Sequence, residues 1–255
     1  MDKIYLIFFF VFGTIFSSFL CVIGFRLPER INFVKGSSRC DTCYHKLYFY
    51  EKIPILSYLF QGGKCRHCKN KIPIIIPICE ILGATLFSIA FYRFGFSYNL
   101  ILALLISSLF IIVLVTDVKY YIIPDSILIV FSILLIVVQY FNVGPKQLLI
   151  HILTGIGLFF VMYLIMILGE KMFKKESLGG ADVKLLFLFG LVLEPMMGIV
   201  AIFLASLIAL PISLIVLLKN KTHMIPFGPF LILALIMLFY SGISIDKIMQ
   251  FITFK

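Results

Sequence analysis

Uncharged stretches broken by short polar ones run through most of the chain. Residues 4–25 carry no charge over 22 positions, enough to cross a bilayer. The run is too long for a signal-peptide core and lacks an A-x-A cleavage site, so it reads as an uncleaved first helix. Further apolar segments lie at 73–92, 96–116, 126–142, 147–169, 185–193, 196–218 and 225–243. A span needs about 20 residues, so 185–193 is too short to cross alone. Glu194-Pro195 behind it reads as a turn, and a short helix beginning near Asp182 is expected. Residues 26–72 break the pattern: they are polar, basic and cysteine-bearing, and suit a small water-facing domain. The pattern predicts an all-α polytopic membrane protein with about eight transmembrane helices. Its parts are a first helix (1–25), a loop domain (26–72) and a multi-helix domain (73–255).

Composition agrees. Of 255 residues, 62% are hydrophobic and only 13% charged, against roughly 25% charged in soluble domains. A net charge of +10 would suggest nucleic acid in a soluble protein; here its distribution argues for topology and no nucleic-acid partner. With 26–72 in the cytoplasm and the N-terminus outside, eight spans place 117–124, 170–184 and 219–224 inside too. Seventeen of the 22 Lys and Arg then lie inside, leaving Lys3, Arg93, Lys146, Lys247 and Lys255 outside. Such an asymmetry favours this orientation in the bilayer. Trp is absent, so interfacial aromatics must be Tyr and Phe.

Cys40-x2-Cys43 and Cys65-x2-Cys68 are separated by twenty-one residues. Paired C-x-x-C knuckles at this spacing predict a structural Zn2+ site, closed because all four ligands are protein. Four free or redox-active thiols are the alternative. His45 and His67 are surplus to four ligands, and Cys21 and Cys79 read as small packing residues.

Acids beside apolar runs are costly and therefore functional candidates. Asp117 ends one such run, and Asp182 opens another after Gly179-Gly180. Two carboxylates that meet in a partly dry site can share a proton and activate a water. An intramembrane aspartyl protease is thus the first idea to test. The plainer readings are an N-cap for Asp182 and an interfacial acid paired with Lys119 for Asp117. Asp125 competes for the pair, but after Pro124 it reads as an N-cap or as support for the dyad. Lys184 either tunes a nearby aspartate or marks the cytoplasmic side. His151 and His223 read as packing or loop residues.

Five stretches together resemble the type IV prepilin leader peptidases. They are Ser18–Ile23 with Arg26-Leu27-Pro28; the Cys40–Cys68 segment holding Glu51–Tyr58; Asp117 with Ile123-Pro124-Asp125; Gly179–Lys184; and Ile225–Phe230. The fourth is similar to the family's G-x-G-D box, with Ala181 in place of its second glycine. Alanine there is tolerated if the backbone is not left-handed. The resemblance implies catalysis by Asp117 and Asp182, 65 residues apart, with Gly179 and Gly180 giving the substrate backbone room. It also implies cleavage of a short basic leader of prepilins or pseudopilins at the cytoplasmic face of the bacterial inner membrane. N-methylation of the new terminus from S-adenosylmethionine follows in many members. Glu80, in Pro77-x-x-Glu80, matches a family glutamate; it is expected to line the polar cavity, serving methyl transfer or the substrate amine, or else to reach the interface. The loop has no G-x-G-x-x-G fingerprint, so the methyl donor rests on the resemblance alone. A peptidase lacking methylation is the close alternative; a zinc-responsive, proton-coupled transporter or sensor is the distant one.

Overall fold

The computed structural model describes residues 2–32, 39–40, 42–173, 179–219 and 225–243. Lys35, Lys174, Lys175, Lys221, Lys247 and Lys255 of the charge count, and His223, lie outside them. The described residues form helices α1 (Asp2–Arg26), α2 (Leu56–Phe60), α3 (Ile75–Phe94), α4 (Tyr98–Tyr120), α5 (Asp125–Phe173), α6 (Gly180–Val192), α7 (Pro195–Lys219) and α8 (Gly228–Ser241). A short 3-10 turn, Phe49–Lys52, precedes α2. Five of these helices are long and apolar enough to cross a membrane: α1, α3, α4, α5 and α7. The protein is an all-α, multi-pass membrane protein.

The helices pack as two units, Met1–Phe96 and Ser97–Lys255. In the first, α1 lies against α3 through small residues. A methyl on Gly13 would press on the Gly83 carbonyl, and one on Gly83 would overlap the Ser17 hydroxyl. Close backbone approach of this kind drives helix association in membranes, where lipid is as apolar as leucine.

In the second unit α5 covers 49 residues as two helical arms that meet at Gly144 (φ 78°, ψ 171°), just before Pro145. A straight helix of that length would reach about 74 Å, over twice the hydrocarbon thickness. The break turns it into two arms, the two spans expected at 126–142 and 147–169. Glycine takes the positive φ without strain, and proline cannot continue the hydrogen-bond ladder.

Helix α6 is the short element expected near Asp182, with 13 residues and a core of Leu185, Leu186, Leu188, Phe189 and Leu191 that is essentially inaccessible. Its buried C-terminal carbonyls are met by side chains. Buried Gln139 donates to the Leu191 carbonyl at 2.8 Å, and His151 donates from Nδ1 to the Gly190 carbonyl at 3.2 Å. Both come from α5, one from each arm. Asn142 extends the network, donating to Gln139 at 3.1 Å and to Asn99 at 3.0 Å. Irregular backbone at membrane depth is tolerated only with such partners, which gives His151 its role. The arms and α6 touch through glycine: a methyl on Gly190 would collide with the Gly155 backbone. Pro195 then opens α7 at a position where its missing N–H costs nothing.

Candidate active site

Asp117 lies in the last turn of α4 and is buried, 7% exposed. The helix stops four residues later at Tyr121, in left-handed conformation (φ 55°), whose N–H still reaches the Asp117 carbonyl at 2.9 Å. This sharp stop leaves the aspartate at a helix end. Its carboxylate accepts the Gly228 N–H at 3.0 Å. Gly228 is the first residue of α8, followed by Pro229, so the positive end of that helix faces the acid. A side chain at 228 would meet Asp117 Oδ2 at 3.0 Å and Ile123 at 2.8 Å. The glycine therefore lets a backbone donor reach the carboxylate. Sequence reasoning marked the Ile225–Phe230 stretch but not this bond; the Gly-Pro pair opening an apolar run was its available signal.

Asp182 sits in the first turn of α6, half-buried, close enough to Asp117 for their charges to interact. Residues 65 apart in sequence thus come together. Its carboxylate turns back over Gly179, where an added methyl would lie 2.9 Å from Oδ2. Gly180 faces open space. Neither glycine has positive φ; Gly179 is extended (φ −65°, ψ 125°). Gly179 is small because of the carboxylate above it, not because of its backbone. Ala181 lies within α6 at negative φ, so its methyl is compatible with the local backbone.

Asp125 is the first residue of α5 rather than the cap before it, and it is exposed. Lys184 holds both of its carboxylate oxygens, at 2.7 and 2.9 Å. The third acid is thus engaged with a lysine two residues after Asp182.

In the first unit the four cysteine sulfurs lie within 4.8 Å of one another. Cys40 and Cys68 are 3.8 Å apart, and Cys43 and Cys65 4.0 Å. Four thiolates at about 2.3 Å from one tetrahedral ion would be roughly 3.8 Å apart, so the set fits a metal. The two knuckles repeat one geometry. Cys40 N–H donates to His45 O and Cys65 N–H to Asn70 O. Tyr44 and Lys69, each four residues after the first cysteine, both take φ near 60°. Burial resists ionisation of Cys40, but the N–H groups of Cys43 and Thr42 and neighbouring thiols outweigh it, lowering its pKa to about 7. His45 faces buried Glu51 at 3.8 Å, and Glu51 accepts the Tyr48 N–H at 2.8 Å.

Glu80 is buried, 4% exposed. Its Oε2 accepts the Ile55 N–H at 2.7 Å, and Ser18 bonds it from α1. Ile55 has φ 62° and ψ −56°, and the Leu56 N–H closes a 2.6 Å bond to the Pro54 carbonyl across it. This is the rarer, positive-φ γ-turn, unfavourable for a β-branched residue. The buried carboxylate is one of the contacts that hold it.

Residues 11–94 match the family model described as Bacterial Peptidase A24 N-terminal domain, and residues 103–214 the one described as Type IV leader peptidase family. The chain is 34% identical over 239 residues to a prepilin leader peptidase/N-methyltransferase of Bacillus subtilis (strain 168), covering 92% of this chain and 94% of that protein. A like-named protein of Myxococcus xanthus (strain DK1622) is 33% identical over 188 residues, 73% of this chain and 56% of its own. Another, from Vibrio cholerae, is 28% identical over 254 residues, 94% and 98% respectively. The chain belongs to the type IV leader peptidase family. No solved structure matches it. Within this leader peptidase, the two family-model matches fall one in each packed unit: the cysteine loop with α1 and α3, and Asp117 with Asp182.

Proposed function

We propose that the protein is a membrane aspartyl endopeptidase that removes the short basic leader of type IV prepilins or pseudopilins, with Asp117 and Asp182 as the catalytic pair. The observation that carries this is that two carboxylates, in the last turn of α4 and the first of α6, lie near enough for their charges to interact, one of them met by the α8 N-terminus. One aspartate, ionised, takes a proton from a water held between the two. The other stays protonated, since close carboxylates cannot both ionise cheaply, and donates to the scissile carbonyl as charge develops. The proton then passes to the leaving amine. The titration belongs to the pair.

The relatives' names support a second step, methylation of the new N-terminus, with S-adenosylmethionine as the donor. A cavity of about 320 Å3 in the loop presents Tyr50 with the Arg66 guanidinium 5.1 Å from its ring centre, beside Ser57, Phe60 and Gln61. Tyr48 stacks on the Tyr50 ring at 5.7 Å, so the guanidinium, Ser57 and Gln61 are the groups that would hold such a donor. The four cysteines would hold zinc, fixing the fold of residues 26–72. The charge distribution supports a cytoplasmic loop and an external N-terminus in the inner membrane.

The test is cleavage of a prepilin-type substrate in membranes by wild type, Asp117→Asn and Asp182→Asn at equal protein levels. Loss in both variants is expected. Persistence in either overturns the dyad. An added methyl on the product N-terminus, read by mass, separates the bifunctional enzyme from a peptidase alone.

A further inference from the structure

Helix α2 buries none of its residues. Leu56, Leu59 and Phe60 recur at i, i+3 and i+4 and so share one face; they are 50%, 67% and 78% exposed. Ser57 and Gln61, four apart, lie on another side of the same turn. Tyr50 and Ile53, both exposed, line one cavity with Leu56 and Phe60. Singly exposed apolar residues are ordinary, whereas a cluster of them marks a contact surface. The charge of this segment is of one sign. Residues 42–72 carry six exposed cations: Lys46, Lys52, Lys64, Arg66, Lys69 and Lys71. Lys52 stands between Tyr50 and Ile53, and Arg66 lines their cavity. The one acid in the segment, Glu51, is buried and accepts the Tyr48 N–H. Such a surface repels a basic peptide and fits an anionic partner.

Depth decides which partner. The Ile55 N–H, one residue before α2, donates to Glu80 Oε2 at 2.7 Å. Glu80 is the sixth residue of α3, about 8 Å along the axis from Ile75. That span has 20 residues, or about 30 Å, which matches the hydrocarbon thickness with nothing to spare. Helical side chains lean toward the N-terminus, so the Glu80 carboxylate reaches back toward the edge of the hydrocarbon. The start of α2 is pinned to it there, at the level where lipid headgroups begin.

We propose that α2 and the turn before it form an interfacial anchor. Leu56, Leu59 and Phe60 enter the boundary between headgroups and acyl chains of the leaflet that α3 enters, and Lys52 and Arg66 meet anionic headgroups. Apolar side chains on one face and Lys or Arg beside them are what hold an amphipathic segment in that boundary. Glu80 fixes the depth of the anchor through the Ile55 N–H, and the anchor holds the cysteine loop down on the membrane. Ser57 and Gln61 keep to the water side.

The chain has no Trp, so Phe60→Trp and Leu59→Trp each place a single reporter at an exposed position of the patch. The full-length protein is reconstituted in nanodiscs of phosphatidylglycerol and phosphatidylcholine, the latter brominated either high on its acyl chain or near the chain end. The expected result is emission quenched about twofold or more by bromine high on the chain and less by bromine near its end, with acrylamide largely excluded. Replacing phosphatidylglycerol by neutral lipid weakens the quenching. So does salt at about 1 M, where the Debye length falls to about 3 Å, and so does Lys52→Gln combined with Arg66→Gln at low salt. Reporters at both positions open to acrylamide and indifferent to bromine overturn the anchor, because the patch then faces water. Reporters shielded from acrylamide and bromine alike overturn it too, and mark a face covered by protein, such as a second copy of the chain. Quenching that ignores headgroup charge, salt and the paired substitution overturns the anionic partner.

Discussion

The cysteine cluster and the aspartate pair are built in opposite ways. Four sulfurs are gathered by one short stretch that uses the same turn twice, with Tyr44 and Lys69 in matching conformations. The two carboxylates come from α4 and α6, and the donor to one of them from α8. The first site depends on local chain geometry; the second depends on how helices cross. A local site tolerates change elsewhere in the fold, while an assembled one is exposed to substitutions that never touch it.

The largest contrast is expected at the reacting groups. Asp117→Asn should lower cleavage by about a hundredfold to ten-thousandfold, the usual worth of a positioned acid or base, with thermal unfolding and metal content as in wild type. Cys65→Ser should do the reverse first. Metal content falls, and residues 26–72 become sensitive to added protease, since a structural ion contributes folding energy. Metal retained at the wild-type level would break the comparison from the local side.

Gly190→Ala should be felt at a distance. Its methyl collides with the Gly155 backbone, and overpacking of this kind costs roughly 1–3 kcal/mol. Unfolding in detergent should come earlier and cleavage should fall, although residue 190 touches neither carboxylate. Wild-type values in both would show that the crossing does not set the site. A smaller effect is expected from Gly179→Ala, which presses on Asp182, measured against Gly180→Ala, which meets open space. Reduced cleavage in the first and near wild-type cleavage in the second is the expected order; equal effects would point to backbone freedom instead. Asp125→Asn should be mildest, leaving kcat near wild type, because the exposed pair with Lys184 is worth about 0–1 kcal/mol.

This contrast also governs how much could be read from residues alone. Apolar runs gave the helices, since hydrocarbon demands them, and Gly144-Pro145 lies between two runs that could each span. Cysteine spacing gave the cluster of four sulfurs because its geometry is written within each knuckle. The aspartates were visible as candidates from their cost beside lipid. What faces them was not: the Gly228 N–H comes from 111 residues away, and the ion pair of Asp125 with Lys184 from 59. Glu80 was legible as an anomaly, yet its partner is the backbone of Ile55, and no residue type announces a strained turn. The end of α6 was the least legible, because what allows a helix to stop there is the side chains of Gln139 and His151 on another element.

That last arrangement bears on the bilayer. Thirteen residues give about 20 Å of helix against roughly 30 Å of hydrocarbon. Left to the lipid, such a mismatch would be met by thinning the membrane or tilting the helix. Gln139 and His151 supply the solvent that α6 lacks, so its foot rests on protein. The height of Asp182 is then set by a ruler inside the molecule, and it should hold in membranes of different thickness.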